Sequence, residues 1–354
     1  MMFKQIIDFS LTGLEISGKW EETLEQIGKG PGTVLVLGAS DTGKSTIARF
    51  LVKGLVEKGL RVGYVDADIG QSTLGPPATI GMALLRGRED LKGEVPVSLH
   101  FVGAISPQGY QLPHLVGLRR AVDEAGQGGA EIILVDTTGM VSGEAAVELK
   151  YQKVLLLSPG YLLLLQRGRE LEPLLRIFLK IGGFKLIKLG VSGRVKKKTR
   201  EERVRYREES FRRFFQGSRV LGFPRGEVIL RGRGFGAGRI MNPGDLKMWE
   251  SYLGTRIFYG ERAPRKLSLL TQDDITSADS FKARSRLEIS SLHLVSQDVL
   301  IGKLVGLISD GHYPDSLGIF RGLSFESGQF QLYTSRDEAE GVRLLELSEV
   351  EIFN

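Results

Sequence analysis

The residues from Gly38 to Ser45, Gly-Ala-Ser-Asp-Thr-Gly-Lys-Ser, fit the spacing G-x-x-x-x-G-K-[ST]. Glycines five positions apart let a loop wrap until its backbone N–H groups converge, and a following helix adds free amides and the positive end of its dipole. The ligand that suits such a cradle is phosphate. Gly38, Asp41, Thr42, Gly43, Lys44, Ser45 and Thr46 are therefore the candidate nucleotide-binding set. In it Lys44 reaches the β- and γ-phosphates and the Ser45 hydroxyl takes Mg²⁺. Two carboxylate motifs follow, Asp66-Ala-Asp68-Ile-Gly70-Gln71 and Asp136-Thr-Thr-Gly139, each closing an apolar run. Asp66 and Asp68 share a face if the strand continues through them. Asp68 falls at the strand's carboxyl edge, where open α/β sheets take ligands. Asp136 ends an apolar strand and is a second candidate for Mg²⁺. The competing role for either Asp is a helix cap or a turn.

A third feature is cationic. Between Lys185 and Arg219 stand thirteen Lys/Arg against four Glu, a local charge of +9, while the other 319 residues sum to −3. Helical spacing begins at Thr199, which forms a capping box with Glu202. Glu201, Glu208 and Glu209 can pair at i,i+4 with Arg205, Arg212 and Arg213. Arg200, Arg203 and Arg207 have no acid three or four positions away and fall on one face. Like charges so placed repel, so the stripe suits an external polyanion. Arginine also clamps phosphoryl oxygens bidentately. The bland alternative is pairing with acids elsewhere in the fold.

These groups need a scaffold. Thr33–Leu37 is a short apolar run between glycines, as a buried strand requires. Ile47, Phe50, Leu51 and Leu55 repeat at helical spacing over Lys44–Lys58, and Gly59 stops that helix. Further strands are expected at Arg61–Asp66, Val97–Val102, Glu131–Val135, Tyr161–Leu165 and Lys185–Val191, with helices near 111–125 and 170–180. The alternation predicts an α/β fold, a P-loop NTPase with a mainly parallel sheet flanked by helices. Beyond residue 217 short, turn-rich runs dominate: Gly226–Arg231, Arg256–Tyr259, Leu292–Leu294, Val299–Leu307, Gln329–Tyr333 and Arg343–Phe353. They predict a smaller C-terminal, mostly β domain, with a barrel as one arrangement. The expected organisation is an N-terminal arm over 1–30, the P-loop domain over 31–216 with its basic lid helix at about 194–215, and the β-rich domain over 217–354. Arg231–Arg239, Arg-Gly-Arg-Gly-Phe-Gly-Ala-Gly-Arg, lacks the strand-to-helix setting of a dinucleotide fingerprint. It is either a contact for single-stranded nucleic acid or a turn between two β runs.

Composition removes several classes of function. The chain of 354 residues has no cysteine, which excludes disulfides, thiolate metal sites and cysteine nucleophiles. No apolar stretch is long enough to span a bilayer. No basic region followed by an apolar core opens the chain, so the expectation is a cytoplasmic enzyme with neither membrane nor disulfide partner. His100, His114, His293 and His312 show no metal-ligand spacing.

Together the motifs resemble the Clp/Grc-type polynucleotide 5′-hydroxyl kinases, above all their short prokaryotic members, over roughly residues 20–350. Four blocks carry the likeness: Gly38–Thr46; Asp66–Gln71 with Gly75-Pro76-Pro77; Asp136–Gly139; and Lys198-Thr-Arg-Glu-Glu-Arg203 with Arg207. Tyr161–Leu174 also resembles the family's strand and helix before the lid. The resemblance implies ATP, or GTP in its place, and Mg²⁺ held by Ser45, Asp68 and Asp136. It implies RNA or DNA with a 5′-hydroxyl end as acceptor. Lys44, Asp68, Arg203 and Arg207 are then catalytic, with Asp68 as general base, and Gln71, Thr138, Lys198 and Arg200 touch the substrate. Two positions depart from the pattern: Lys198 where the family usually has Arg, and Met140 where relatives often place Trp. The rival readings are a catalytically weak ATP-bound scaffold and a switch-type NTPase, although no N-K-x-D motif follows Asp136.

Overall fold

The computed structural model describes residues 2–11, 16–193, 195–275, 290–310 and 313–352. It divides into two compact units, Met1–Phe214 and Phe215–Asn354. The first contains β1 (Met2–Ile6), α1 (Gly18–Ile27), β2 (Gly32–Gly38), α2 (Lys44–Glu57), β3 (Val62–Ala67), β4 (Thr79–Leu85), β5 (Glu94–Phe101) and α3 (Gln111–Gln127). There follow β6 (Ile132–Thr137), α4 (Glu144–Leu157), β7 (Tyr161–Gln166), α5 (Glu172–Ile181), β8 (Lys185–Gly190) and α6 (Arg200–Phe214).

The eight strands form one sheet in the order β1-β5-β4-β3-β6-β2-β7-β8. From β3 to β8 the pairings are parallel; β4, β5 and β1 complete an antiparallel edge. Helices cover both faces, so the central strands are apolar throughout rather than alternating. Val34, Leu35, Val36 and Leu37 of β2 are all fully buried. Ile47, Leu51 and Leu55 of α2 pack into one core with Val34 and Val36, while Leu35 and Leu37 face a second core under α3, α4 and α5. Each such side chain stabilises the fold by about 1.5–3 kcal/mol when fully buried. Gly59, at φ +87°, turns the chain after α2 as its position suggested.

The sequence reading needs correction at two places. Residues 1–30, expected as an arm, hold β1, paired antiparallel with β5, and α1, whose Trp20 and Leu24 pack on the core. Among the described residues of the second unit the strands do not close into a barrel. β9 (Arg219–Pro224), β10 (Ile229–Arg231), β11 (Arg239–Ile240), α7 (Pro243–Leu253), β12 (Ile257–Ala263), β13 (Lys266–Thr271), β14 (Ser291–Ser296), β15 (Lys303–Ile308), β16 (Ser316–Ser324), β17 (Gln329–Thr334) and β18 (Leu344–Glu351) make two open sheets. Their orders are β10-β18-β15-β16-β17-β9 and β11-β12-β13-β14. The run Val299–Leu307 is part helix, since Gln297–Leu300 makes one turn before β15 begins. Residue 194 of the expected lid, His312 and Phe353 lie outside the described residues. Among the described residues no helix is long and apolar enough to cross a membrane.

Candidate active site

The carboxyl ends of the parallel strands β2, β6 and β3 carry the three motifs, because neighbouring parallel strands end on the same edge. Gly38 closes β2 against β7, where an added Cβ would lie 2.6 Å from Thr42 Oγ1 and 2.8 Å from the Leu165 carbonyl. Gly43, at φ +88°, is the left-handed residue that starts α2. Thr42 Oγ1 donates to the Ala39 carbonyl at 2.9 Å. Lys44 Nζ, expected to face phosphate, donates to the same carbonyl at 2.8 Å and is buried.

Asp136 and Asp66 are register partners across β6 and β3, so both point to one face. Their environments differ. Asp66 accepts from the Thr73 N–H at 2.6 Å, the Thr73 hydroxyl at 2.7 Å, the Leu74 N–H and the Asp68 N–H. It therefore ties down the loop that follows β3. Burial, then the charges of Asp136 and Asp68, push its carboxyl up to about 7. Asp136 is as buried, yet among the described residues neither of its oxygens completes a hydrogen bond. Burial raises its pKa, while Lys44 and the Ser45 hydroxyl favour the charged form. An orphaned buried carboxylate beside a hydroxyl and a lysine fits a divalent cation, which commonly takes only one or two carboxylates with phosphate and water. Among the described residues no group of three or more His, Asp or Glu gathers as a self-sufficient metal cage.

Asp68, half-buried, accepts the Gly70 and Gln71 N–H groups on Oδ1 at 3.1 and 3.2 Å. Two amides on one oxygen fix the carboxylate's direction. Gln71 Nε2 reaches the Arg203 carbonyl of α6 at 3.3 Å, and Tyr206 of the same helix donates to the Ser72 carbonyl at 2.7 Å. The loop carrying Asp68 is thereby joined to the lid. Asp136-Thr-Thr-Gly139 meets the phosphate loop directly. A Cβ on Gly139 would lie 2.6 Å from backbone atoms of Ser40, so only glycine allows this approach.

The capping box on α6 forms as the sequence requires: Thr199 N–H donates to Glu202 at 2.6 Å, and Glu202 N–H donates to Thr199 Oγ1 at 3.2 Å. The expectation of three unpaired arginines fails at Arg203, whose Nη2 donates to Asp41 Oδ2 in the phosphate loop. The Lys198 N–H joins it there at 3.1 Å. Asp41 thus turns its carboxylate to the lid. This acid stands 162 positions from Arg203, beyond any local pairing rule. Arg207 is half-buried, and burial followed by the charge of Arg203 lowers its pKa; Arg200 is exposed. Lys198 Nζ stands 3.5 Å from Gln71 Oε1 and over the Tyr206 ring. Arg167, not singled out in the sequence, donates to the Asp41 carbonyl at 2.7 Å and the Val195 carbonyl at 3.1 Å, tying loop to lid. A cleft of about 520 Å³ opens between these parts, lined among others by Ser40, Asp41, Met140, Arg167, Lys198 and Arg203.

Two further residues, Lys150 and Lys153, went unseen because α4 itself was not anticipated. Lys150 and Lys153 are fully buried, as is His114 on α3. Lys150 Nζ donates to Thr137 Oγ1 at 2.9 Å and to the Thr138 carbonyl at 2.5 Å. His114 Nε2 donates to the Ala67 carbonyl at 3.1 Å, with Lys153 Nζ 3.5 Å away. Two lysines three apart, so on one helix face with Ala146, Leu149, Val154 and Leu157, were the available signal.

Residues 38–217 match the family described as the mRNA cleavage and polyadenylation factor CLP1 P-loop. A polyribonucleotide 5′-hydroxyl-kinase from Pyrococcus furiosus is 30% identical over 92% of this chain and 88% of its own. Its counterpart from Thermococcus kodakarensis is 31% identical over 91% and 88%. A solved structure of Clp1p in complex with a Pcf11p fragment superposes with a TM-score of 0.62 at 13% identity, over 94% of this chain and 78% of that one. That likeness speaks for the fold. With half the chain under the family's pattern and relatives 30% and 31% identical over 88% of their length, this chain belongs to the Clp1 P-loop family.

Proposed function

We propose that the chain is an ATP-dependent polynucleotide 5′-hydroxyl kinase, with RNA as the acceptor class that its relatives' names give. The observation that carries the reading is Asp136: a buried carboxylate whose oxygens complete no hydrogen bond among the described residues, and which feels the charges of Lys44 and Asp68 and the Ser45 hydroxyl. Ser45 and Asp136 would hold Mg²⁺, with Asp68 near; bound there, the ion would neutralise charge on the phosphoryl group. Gly38–Thr46 supplies the amide cradle. Lys44 leaves the Ala39 carbonyl for the transferring phosphoryl group. Asp68, fixed through Oδ1, takes the proton of the incoming hydroxyl on its other oxygen. Arg203 and Arg207 draw charge from the equatorial oxygens, and Arg200, Lys198, Gln71 and Thr138 line the way in. Catalysis is positioning and charge stabilisation. The basic segment gives sequence-independent attraction that weakens with salt.

The test is transfer of labelled γ-phosphate to 5′-hydroxyl oligonucleotides of RNA and DNA. Lys44→Ala and Asp68→Ala each lower kcat by about a thousandfold or more. Asp68→Ala leaves nucleotide affinity within a few-fold, because its contacts are with the acceptor side. Absence of transfer from the wild-type chain to any RNA or DNA overturns the reading. Hydrolysis without transfer would mark a switch-type NTPase instead.

A further inference from the structure

Two ammonium groups lie fully buried behind the site, one turn apart on α4. Lysine is almost never buried unless paired, and no carboxylate lies within ion-pair distance of either among the described residues. Apolar side chains in such places commonly leave a protein as stable or more so. Packing therefore gives no reason for them.

Their contacts follow a pattern. Lys150 Nζ touches Thr137 Oγ1, the Thr138 carbonyl and, at 3.4 Å, Thr138 Oγ1. Thr137 Oγ1 passes the connection on, donating to the Val36 carbonyl at 2.8 Å, two residues before the phosphate loop opens. Lys153 lies against the His114 ring that holds the Ala67 carbonyl, one residue before Asp68. One helix thus reaches the carboxyl ends of β2, β6 and β3, the three strands that present the phosphate loop, Asp136 and Asp68. We infer that Lys150 is a positioning residue of the phosphoryl-transfer reaction, fixing the Thr137–Thr138 turn so that Asp136 and the phosphate loop keep their spacing. The inference rests on the kinase reading above. Lys150 is fully buried and, among the described residues, bonds only to the turn. It acts through the turn, whose next residue, Gly139, lies against Ser40.

Lys150→Met keeps an unbranched side chain one atom shorter and removes its donors. Thr137→Val breaks the same connection from the other end and leaves the buried ammonium in place. With melting temperature confirming that each variant is folded, Lys150→Met lowers kcat about tenfold to a hundredfold while KM for ATP stays within about twofold. Thr137→Val changes kcat in the same direction. The double variant is no slower than the slower single one, because both cut one path. A folded Lys150→Met variant with wild-type kcat overturns the inference, as does a rise in KM with kcat unchanged. If Lys150→Met does not fold, a Thr137→Val variant with full kcat overturns it. A wild-type chain that transfers nothing fails the kinase reading, whereas an active wild-type chain matched by its variants fails this inference alone.

Discussion

Two glycine-rich segments, Gly38–Ser45 and Arg231–Arg239, look alike in composition and differ in what their amides meet. At the start of α2 the N–H groups of Gly43, Lys44 and Ser45 donate to no protein acceptor among the described residues. In the second segment the N–H groups of Gly236, Ala237 and Gly238 converge on one oxygen of Glu261, at 2.7, 3.2 and 3.2 Å. Tyr259 donates to the other oxygen at 2.8 Å, and Glu261 is only 2% exposed. Two of its three arginines are paired, Arg231 with Glu346 and Arg233 with Glu349, and Phe235 is core, packed on Tyr259 and His293. The stretch is a turn braced from within, and its aromatic ring is buried in the core. The lesson is that converging amides become a site only when the fold supplies no anion of its own.

The sharpest way to break this comparison is to empty the second nest. Glu261→Ala leaves three amides and a tyrosine hydroxyl without their acceptor and destabilises the chain by about 4 kcal/mol, read by denaturant unfolding. Formate or acetate should then raise the melting temperature of the variant and not that of the wild type. Equal response of both proteins would mean that the nest does not recognise an anion.

A second buried charge makes the opposite case. Among the described residues Lys153 has only the His114 ring nitrogen within hydrogen-bond distance. Burial lowers its pKa from 10.5 to about 7. The folded chain then binds fewer protons than the unfolded chain between those values, so stability rises with pH across the interval. The penalty is full below pH 7 and gone above about 10.5. Lys153→Met therefore raises stability by on the order of 2 kcal/mol at pH 6, and the gain shrinks toward zero as pH approaches 10. Melting curves of both proteins across that range measure it. A gain that does not change with pH would mean the amine is already paired.

The same contrast explains what was legible in the sequence. The parallel strands could be read because burial on both faces leaves continuous apolar runs such as Val34–Leu37, and the phosphate loop because its geometry admits few residue types. α4 could not: Leu155, Leu156 and Leu157 follow Val154 without a polar face, and Lys150 and Lys153 interrupt the apolar stripe they belong to. The pairing of Asp41 with Arg203 spans 162 positions and arises only when β2 and α6 are brought together. Strand order in the second unit is likewise set by which distant strands pair: β10 joins β18 in parallel, and neither strand carries a local mark of it.

The smallest effect tests the lid at its exposed cation. Lys198 is exposed; its ammonium lies 3.5 Å from Gln71 Oε1 and 5.0 Å from the centre of the Tyr206 ring. A group held so loosely gives a point charge and little geometry, and exposed contacts of this kind contribute about 0–1 kcal/mol. Lys198→Arg supplies a planar fork at the same place. If Lys198 works by charge alone, the substitution changes kcat by less than about twofold, and the dependence of KM for the oligonucleotide on salt keeps its slope because the charge count is the same. If a bidentate phosphate contact is what the lid lacks, KM for the oligonucleotide falls several-fold with kcat for bound substrate unchanged. Steady-state kinetics at two salt concentrations separate the outcomes. The first keeps the lid arginines as the phosphoryl clamp and Lys198 as an electrostatic guide. The second makes the position a determinant of acceptor affinity, filled by a weaker residue in this chain.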